Sequence, residues 1–256
     1  MRRLLNAWAW SETVLCVVVG FPVWVLVFVL TAPFDRGRYA AGRFFRIIAV
    51  TAIRLNPLWR FRVDGQRPPD PRRPYVAVSN HESYADVFLI SMFPWEMKWM
   101  AKTTIFKIPL MGWMMEYSLD IPVKRGDRDG AVSALADARD RLARRVSIMI
   151  FPEGTRSKTR EMLPFKDGAF KLAIETGSPI LPIAVAGTRR AMTKGSFIFR
   201  PAVARARVLA PIETAGLGPA DVPALRDRTR AAIDAGRIAL AAELGIEVGG
   251  IEAAAG

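Results

Sequence analysis

The chain holds a single histidine, His81, followed five positions later by an aspartate, Asp86. An imidazole and a carboxylate make a general base with its orienting partner. The carboxylate accepts from one ring N–H and leaves the other nitrogen free to take a proton. Residues five apart do not share a helical face, where neighbours are three or four apart, so this pair meets only if the chain turns between them. The run Pro74-Tyr75-Val76-Ala77-Val78-Ser79-Asn80 reads as a buried strand that ends immediately before His81. Functional side chains often sit where such a strand gives way to a loop and a helix. Two plainer readings stand beside the catalytic one: a structural or surface histidine, and an Asp86 that caps a helix starting near Val87.

A second cluster is Phe151-Pro152-Glu153-Gly154-Thr155-Arg156-Ser157, after the apolar run Ser147–Phe151. Gly154 permits a sharp turn or a close backbone approach to a ligand. Arg156 presents a planar fork that matches phosphate oxygens. Lys158, Arg160 and Lys166 follow, so Glu153 is out of place unless it pairs with a cation or binds a hydroxyl. The plain reading is a solvated loop with a Glu–Arg pair.

Taken together and in this order, the two pieces resemble the glycerolipid acyltransferase family, and most closely its bacterial 1-acyl-sn-glycerol-3-phosphate acyltransferases. The family's NHxSxxD motif is present as Asn80-His81-Glu82-Ser83-Tyr84-Ala85-Asp86, and its FPEGTRS motif is matched from Phe151 to Ser157. Pro164-Phe165-Lys166-Asp167-Gly168-Ala169-Phe170 and Leu181-Pro182-Ile183 also look like family features, and the resemblance covers roughly Phe61 to Leu209. One block departs: where the family has a GxxFIDR-like segment, Leu119-Asp120-Ile121-Pro122-Val123-Lys124-Arg125 keeps only the final arginine and an aliphatic position.

The resemblance implies acyl transfer from a thioester to the sn-2 hydroxyl of 1-acylglycerol 3-phosphate, with His81 as general base and Asp86 holding its tautomer. Arg125 and Arg156 are then candidate ligands of the acceptor phosphate, with Glu153 near its glycerol. Gly154 and Thr155 complete the motif's substrate-binding set, and Lys102 and Lys124 are further candidates for donor or acceptor phosphates. The co-substrate is acyl-CoA or acyl-ACP, and no other cofactor or metal is expected. Glycerol 3-phosphate, a lyso-ornithine lipid or another lysophospholipid remain alternative acceptors. A non-catalytic basic protein binding anionic membrane is the rival from another class.

The elements that must position these residues read as an α/β fold, a mixed, largely parallel sheet flanked by helices, with an N-terminal membrane-anchoring helical segment; the resemblance implies that this fold is glycerol-3-phosphate acyltransferase-like. Expected strands are Phe61–Val63, Tyr75–Ser79, Lys98–Ala101, Ser118–Val123, Ser147–Phe151, Ile180–Ala186 and Val203–Leu209. Expected helices are Tyr84–Met92, Leu110–Tyr117, Asp129–Val146, Ala169–Glu175 and Val222–Leu244. The division is 1–60 for membrane-anchoring helices, 61–244 for the acyltransferase domain and 245–256 for a disordered tail. The methionine- and tryptophan-rich stretch Phe88–Met115 is either core or the lining of an acyl-chain groove.

Thr13–Phe34 carries no charged residue. As a helix it would reach ~33 Å, enough for a hydrocarbon core of ~30 Å. A buried core helix is the competing reading, and Pro22 predicts a kink. The following stretch sets Arg36, Arg38, Arg43, Arg46, Arg54 and Arg60 among apolar residues, which suggests an interfacial helix with arginines at phosphate level. The apolar segment either spans with that kink or bends and lies in one leaflet; if it spans, this heavier positive flank places the rest of the chain on the cytoplasmic side of the cell (inner) membrane.

The net charge of +13 suits an anionic partner. The long apolar run favours an anionic phospholipid membrane over nucleic acid, for which no binding module appears. A single cysteine, Cys16, and a single histidine rule out an internal disulfide and any Cys-based or multi-His metal site within one chain.

Overall fold

The computed structural model describes residues 2–68, 70, 72–124, 126–157, 159, 161–193 and 195–247. Two helices come first, α1 (Arg2–Thr31) and α2 (Tyr39–Leu55), and β1 (Trp59–Gly65) follows. Next are β2 (Val76–Ser79), α3 (Ala85–Ser91), β3 (Met97–Lys102), α4 (Met111–Tyr117) and β4 (Ile121–Val123). The second half holds α5 (Arg128–Ala143), β5 (Ser147–Ile150), α6 (Gly168–Thr176), β6 (Ile180–Ala186), β7 (Ala202–Val208) and α7 (Val222–Leu244).

The strands form one sheet in the order β1-β7-β6-β2-β5-β3-β4. Only β6 and β7 pair antiparallel; all other neighbours are parallel. The α/β architecture, mixed and largely parallel, is therefore the one expected. Parallel strands are covered on both faces, and their side chains alternate between two cores. Ala77, Met149, Leu181 and Ile183 pack beneath α3 with Leu89 and Ile90. Val76, Val78, Ile148 and Ile180 pack on the opposite face with α5, α6 and α7.

The element boundaries differ in instructive ways. β1 starts at Trp59, whose ring stacks on Phe61 at 4.8 Å. β4 is shorter than expected because Ser118 and Leu119 close α4, with Leu119 in the left-handed region at φ 66°. Asp120 then turns inward. It accepts two hydrogen bonds from Arg46 Nη2 (2.5 and 2.6 Å) and one from the Trp99 backbone N–H (2.8 Å). Glu96 and Lys98 lie beside this pair, and Lys98 Nζ donates to Glu96 Oε1 (3.1 Å) and to the Arg38 carbonyl (2.8 Å). Gly42 of α2 passes directly over them, where any Cβ would collide with both side chains.

This corrects the expectation of arginines at phosphate level. Arg46 is buried and paired. Arg43 donates to the Phe93 carbonyl (2.8 Å), and Arg38 to the Ala32 carbonyl (2.6 Å). Only Arg36, Arg54 and Arg60 of that set are exposed.

α1 begins well before Thr13, continues through Pro22 and is long and apolar enough to cross a membrane. One of its faces packs on α2. Trp24 is buried and its Nε1–H donates to the Ala41 carbonyl (3.1 Å), while Phe21 and Phe28 stack on either side of its ring. Val14, Leu15, Val18, Val19, Leu26 and Val29 on the other side are exposed. At its start, Asn6 bonds both the N–H and the carbonyl of Phe199, and Trp10 donates to the Phe197 carbonyl (2.9 Å).

The Phe88–Met115 stretch divides between two cores. Trp95, Met97 and Trp99 pack beneath α2 and α3, and Met114 and Met115 pack against α1 and α2. Of the 245–256 segment, Gly245 to Glu247 close α7; the rest lies outside the described residues.

Candidate active site

The carboxyl ends of the parallel strands, where α/β sheets bind their ligands, bring the chemistry together. β2 runs into Asn80-His81, β5 into Phe151-Pro152-Glu153 and β6 into Gly187-Thr188. Each residue of the first motif has a job visible in the bonding. The Asn80 amide exchanges hydrogen bonds with the backbone of Val185, both 2.9 Å, and so extends the pairing of β2 with β6 by a side chain. The chain then turns. Asp86, in the first turn of α3, reaches back so that its Oδ2 accepts from the N–H groups of Glu82 (2.7 Å) and Ser83 (2.9 Å). Ser83 Oγ donates to the Met192 carbonyl (2.8 Å) and pins the turn from the other side.

That turn sets His81 Nδ1 2.8 Å from Asp86 Oδ2. The carboxylate only accepts, so Nδ1 carries the proton and Nε2 is left as the basic nitrogen. The ring is buried and lies flat on Phe151, with centroids 3.9 Å apart and planes 15° from parallel. Asp86 thus holds the turn before α3 and faces the imidazole; it lies inside the helix and does not cap it, so the plain capping reading is not the one observed. Its other oxygen accepts from Thr188 Oγ1.

The second motif wraps the same corner. Gly154 adopts φ 71°, a left-handed turn, and a Cβ there would stand 2.9 Å from Lys166 Nζ. Arg156 is buried with its guanidinium 3.7 Å from the centroid of the Tyr84 ring. Thr155 is half-buried beside it, and the Ser157 N–H donates to the His81 carbonyl (3.3 Å).

Glu153, expected near the acceptor's glycerol, lines a small cavity at His81 and is also held by the backbone. It is buried, and its oxygens accept from the His81 N–H (2.8 Å) and the Leu163 N–H (2.9 Å). Burial pushes its carboxyl up to about 7, with the Asp86 charge adding to this and the two N–H bonds opposing it. Its visible work is to brace the His81 loop against the segment after the second motif. Glu153→Gln keeps one acceptor and turns an NH2 toward the other backbone N–H, which costs about 1–3 kcal/mol. A lower thermal midpoint with an unchanged acceptor KM is the expected result. An unchanged midpoint with a raised acceptor KM would return Glu153 to the substrate.

Lys102 and Lys124 extend from the same sheet edge, at the ends of β3 and β4. Both are exposed, and Lys124 pairs with Asp127 at 3.1 Å. Arg125 lies outside the described residues. Among the described residues no group of His, Cys, Asp or Glu is arranged to hold a metal ion.

Sequence reasoning missed Thr188, Arg189 and Arg237. Arg189 Nη1 donates to the Ser157 carbonyl (3.3 Å), and Arg189 and Arg237 line a small cavity with His81, Glu82 and Glu153. Burial pushes Glu82 up to about 7, the Asp86 charge adds to this, and both arginines oppose it. The available signal was the Gly187-Thr188-Arg189-Arg190 run that ends the proline-containing strand.

Residues 60–186 match the acyltransferase family. The chloroplastic 1-acyl-sn-glycerol-3-phosphate acyltransferase of Brassica napus is 35% identical, over 71% of this chain and 54% of its own length. The alpha form from Homo sapiens is 33% identical, over 82% of this chain and 75% of its own length. The crystal structure of the 1-acyl-sn-glycerophosphate (LPA) acyltransferase PlsC from Thermotoga maritima matches with a TM-score of 0.75 at 25% identity, covering 98% of this chain and 100% of that one. The chain spans about half the length of the Brassica napus, Arabidopsis thaliana and Chlamydomonas reinhardtii relatives it matches. With both family motifs folded around one corner and relatives such as the human protein matched over most of their length, this chain belongs to the acyltransferase family.

Proposed function

We propose that the protein moves a fatty-acyl group from an acyl thioester to the sn-2 hydroxyl of 1-acylglycerol 3-phosphate, giving phosphatidic acid. The observation that carries this reading is the His81–Asp86 pair, bonded through Nδ1 at 2.8 Å and set at the carboxyl edge of the sheet. An alcohol is a weak nucleophile at neutral pH and needs a base as it attacks. His81 Nε2 takes the hydroxyl proton while Asp86 stabilises the imidazolium. The acceptor oxygen bonds to the thioester carbonyl carbon, the C–S bond breaks, and the proton passes from His81 to the departing thiolate. The substrate occupies the role that serine plays in a triad, so no enzyme nucleophile is needed. The names of the relatives support the choice of acceptor.

Arg156 is the described candidate for the acceptor phosphate. Its stacking on Tyr84 holds the guanidinium in place before substrate arrives. Arg156→Ala is expected to raise the acceptor KM about tenfold or more, the usual worth of a charge-assisted hydrogen bond. Unchanged KM and kcat/KM would remove Arg156 from the site. Arg125 remains a second candidate on sequence grounds, and Lys102 and Lys124 are candidates for longer-range attraction.

The working surface is an anionic phospholipid membrane. The exposed apolar face of α1 and the net charge of +13 support this placement. α1 is held along one face by α2, which favours embedding from one side over crossing alone. Residues 1–60 act in this reading as the anchor and 61–244 as the catalytic part, on the cytoplasmic side of the cell membrane. Either acyl-CoA or acyl carrier protein supplies the acyl group.

A further inference from the structure

A cleft of about 800 Å³ opens beside the catalytic corner and is not used by the acceptor site described above. It lies between the turn after β6, the starts of β1 and β7, and the end of α7. Four arginines line it, Arg60, Arg189, Arg190 and Arg237, against the acids Glu82 and Glu247. The rest of the wall is largely apolar, with Leu58, Leu244 and Ile246 among its members. The cleft adjoins the corner at His81: Glu82, Arg189 and Arg237 line both it and the small cavity there. One turn serves both places. Gly187 sits at φ 92°, with no room for a Cβ against the Val203 carbonyl. It sends Thr188 to Asp86 and the next two residues, Arg189 and Arg190, to the cleft.

Two substrates must meet at His81. The acceptor phosphate is one carbon from the reacting hydroxyl, so it binds close in and fills little volume. A carrier-borne acyl donor has its first phosphate a full pantetheine arm away from the thioester. A cleft within the size range that takes whole small molecules, cationic and partly apolar and sharing Glu82, Arg189 and Arg237 with the cavity at His81, suits that arm. From this geometry we infer that the cleft binds the phosphopantetheine arm of the acyl donor, with Arg190 and Arg60 taking its phosphate. The inference rests on the acyl-transfer reading above and goes beyond it by separating donor from acceptor subsites.

Coenzyme A and acyl carrier protein share this arm, so a donor series tests the shared chemistry and distinguishes the sources. With the purified full chain and saturating 1-acylglycerol 3-phosphate, kcat/KM is measured for acyl-pantetheine, acyl-phosphopantetheine, acyl-CoA and acyl carrier protein. The wild type is expected to favour acyl-phosphopantetheine over acyl-pantetheine by about tenfold or more. In Arg190→Ala and Arg60→Ala that ratio falls toward one, while the acceptor KM stays at its wild-type value. The ratio is internal to each variant, so partial loss of folded enzyme does not imitate the result. An unchanged ratio, or a loss that appears in the acceptor KM, overturns the assignment. A loss confined to acyl carrier protein also overturns it, because the arginines would then face the carrier's surface. Absence of acyl transfer by the wild type from every donor would instead sink the proposed function itself.

Discussion

His81→Ala lowers kcat/KM for acyl transfer by about 10²–10⁴-fold, the range a positioned general base contributes. The fold survives this change. Removing the imidazole takes one hydrogen bond from Asp86, whose carboxylate still accepts from the N–H groups of Glu82 and Ser83 and from Thr188. The ring's other large contact, the face of Phe151, loses packing but no polar partner. Association with anionic vesicles is expected to be unchanged, because the proposed anchor is α1 and His81 sits at the carboxyl edge of the sheet. The checks are thioester consumption with saturating acceptor and sedimentation with anionic vesicles. Wild-type-like turnover in this variant would remove His81 from the mechanism.

The second large effect is on stability and lies away from the chemistry. Asp120→Ala leaves Arg46 buried without its two closest acceptors and leaves the Trp99 N–H without its carboxylate. Breaking one side of a buried ion pair costs about 3–5 kcal/mol. Against a total stability of about 5–15 kcal/mol this is severe. In a chain of this size it lowers the melting midpoint on the order of 10 °C. The exposed Arg73–Glu213 pair, 2.7 Å apart with more than two-fifths of each side chain in solvent, is the control. Arg73→Ala there costs less than about 1 kcal/mol. Equal midpoints for the two variants would mean that the buried cluster does not hold α2 on the sheet.

The candidate pair His81–Asp86 was legible in the sequence from local signs, and the resemblance of two motifs in order gave those signs their weight. A strand ends, a turn follows, and a histidine and an aspartate sit on either side of it. The alternation of apolar strands with helical stretches was enough to expect a mixed, largely parallel sheet, since buried parallel strands are short continuous apolar runs. What escaped was long-range. Thr188 reaches Asp86 from 102 residues away, and a lone threonine after a strand carries no sign of its partner. Arg46 was expected at the lipid surface because an arginine on an amphipathic helix ordinarily faces water. Asp120, which draws it inward, lies 74 residues further on, in the block that departs from the family pattern. The two bonds that hold Glu153 were hidden for a similar reason: backbone N–H groups leave no trace in a sequence, and two of them claim its carboxylate. The early start of α1 depends on Asn6 and Trp10 locking onto the loop before β7.

The central claim is that an imidazole at the sheet's carboxyl edge activates the free hydroxyl of a phosphate-bearing lysolipid. Its most direct test is product analysis with the purified full chain, crossing acyl-CoA and acyl carrier protein with 1-acylglycerol 3-phosphate, glycerol 3-phosphate, lyso-ornithine lipid and phosphate-free monoacylglycerol. The predicted result is phosphatidic acid from 1-acylglycerol 3-phosphate, in strong preference to the other acceptors. Equal acylation of phosphate-free monoacylglycerol, or no acylated product from any acceptor, would contradict it.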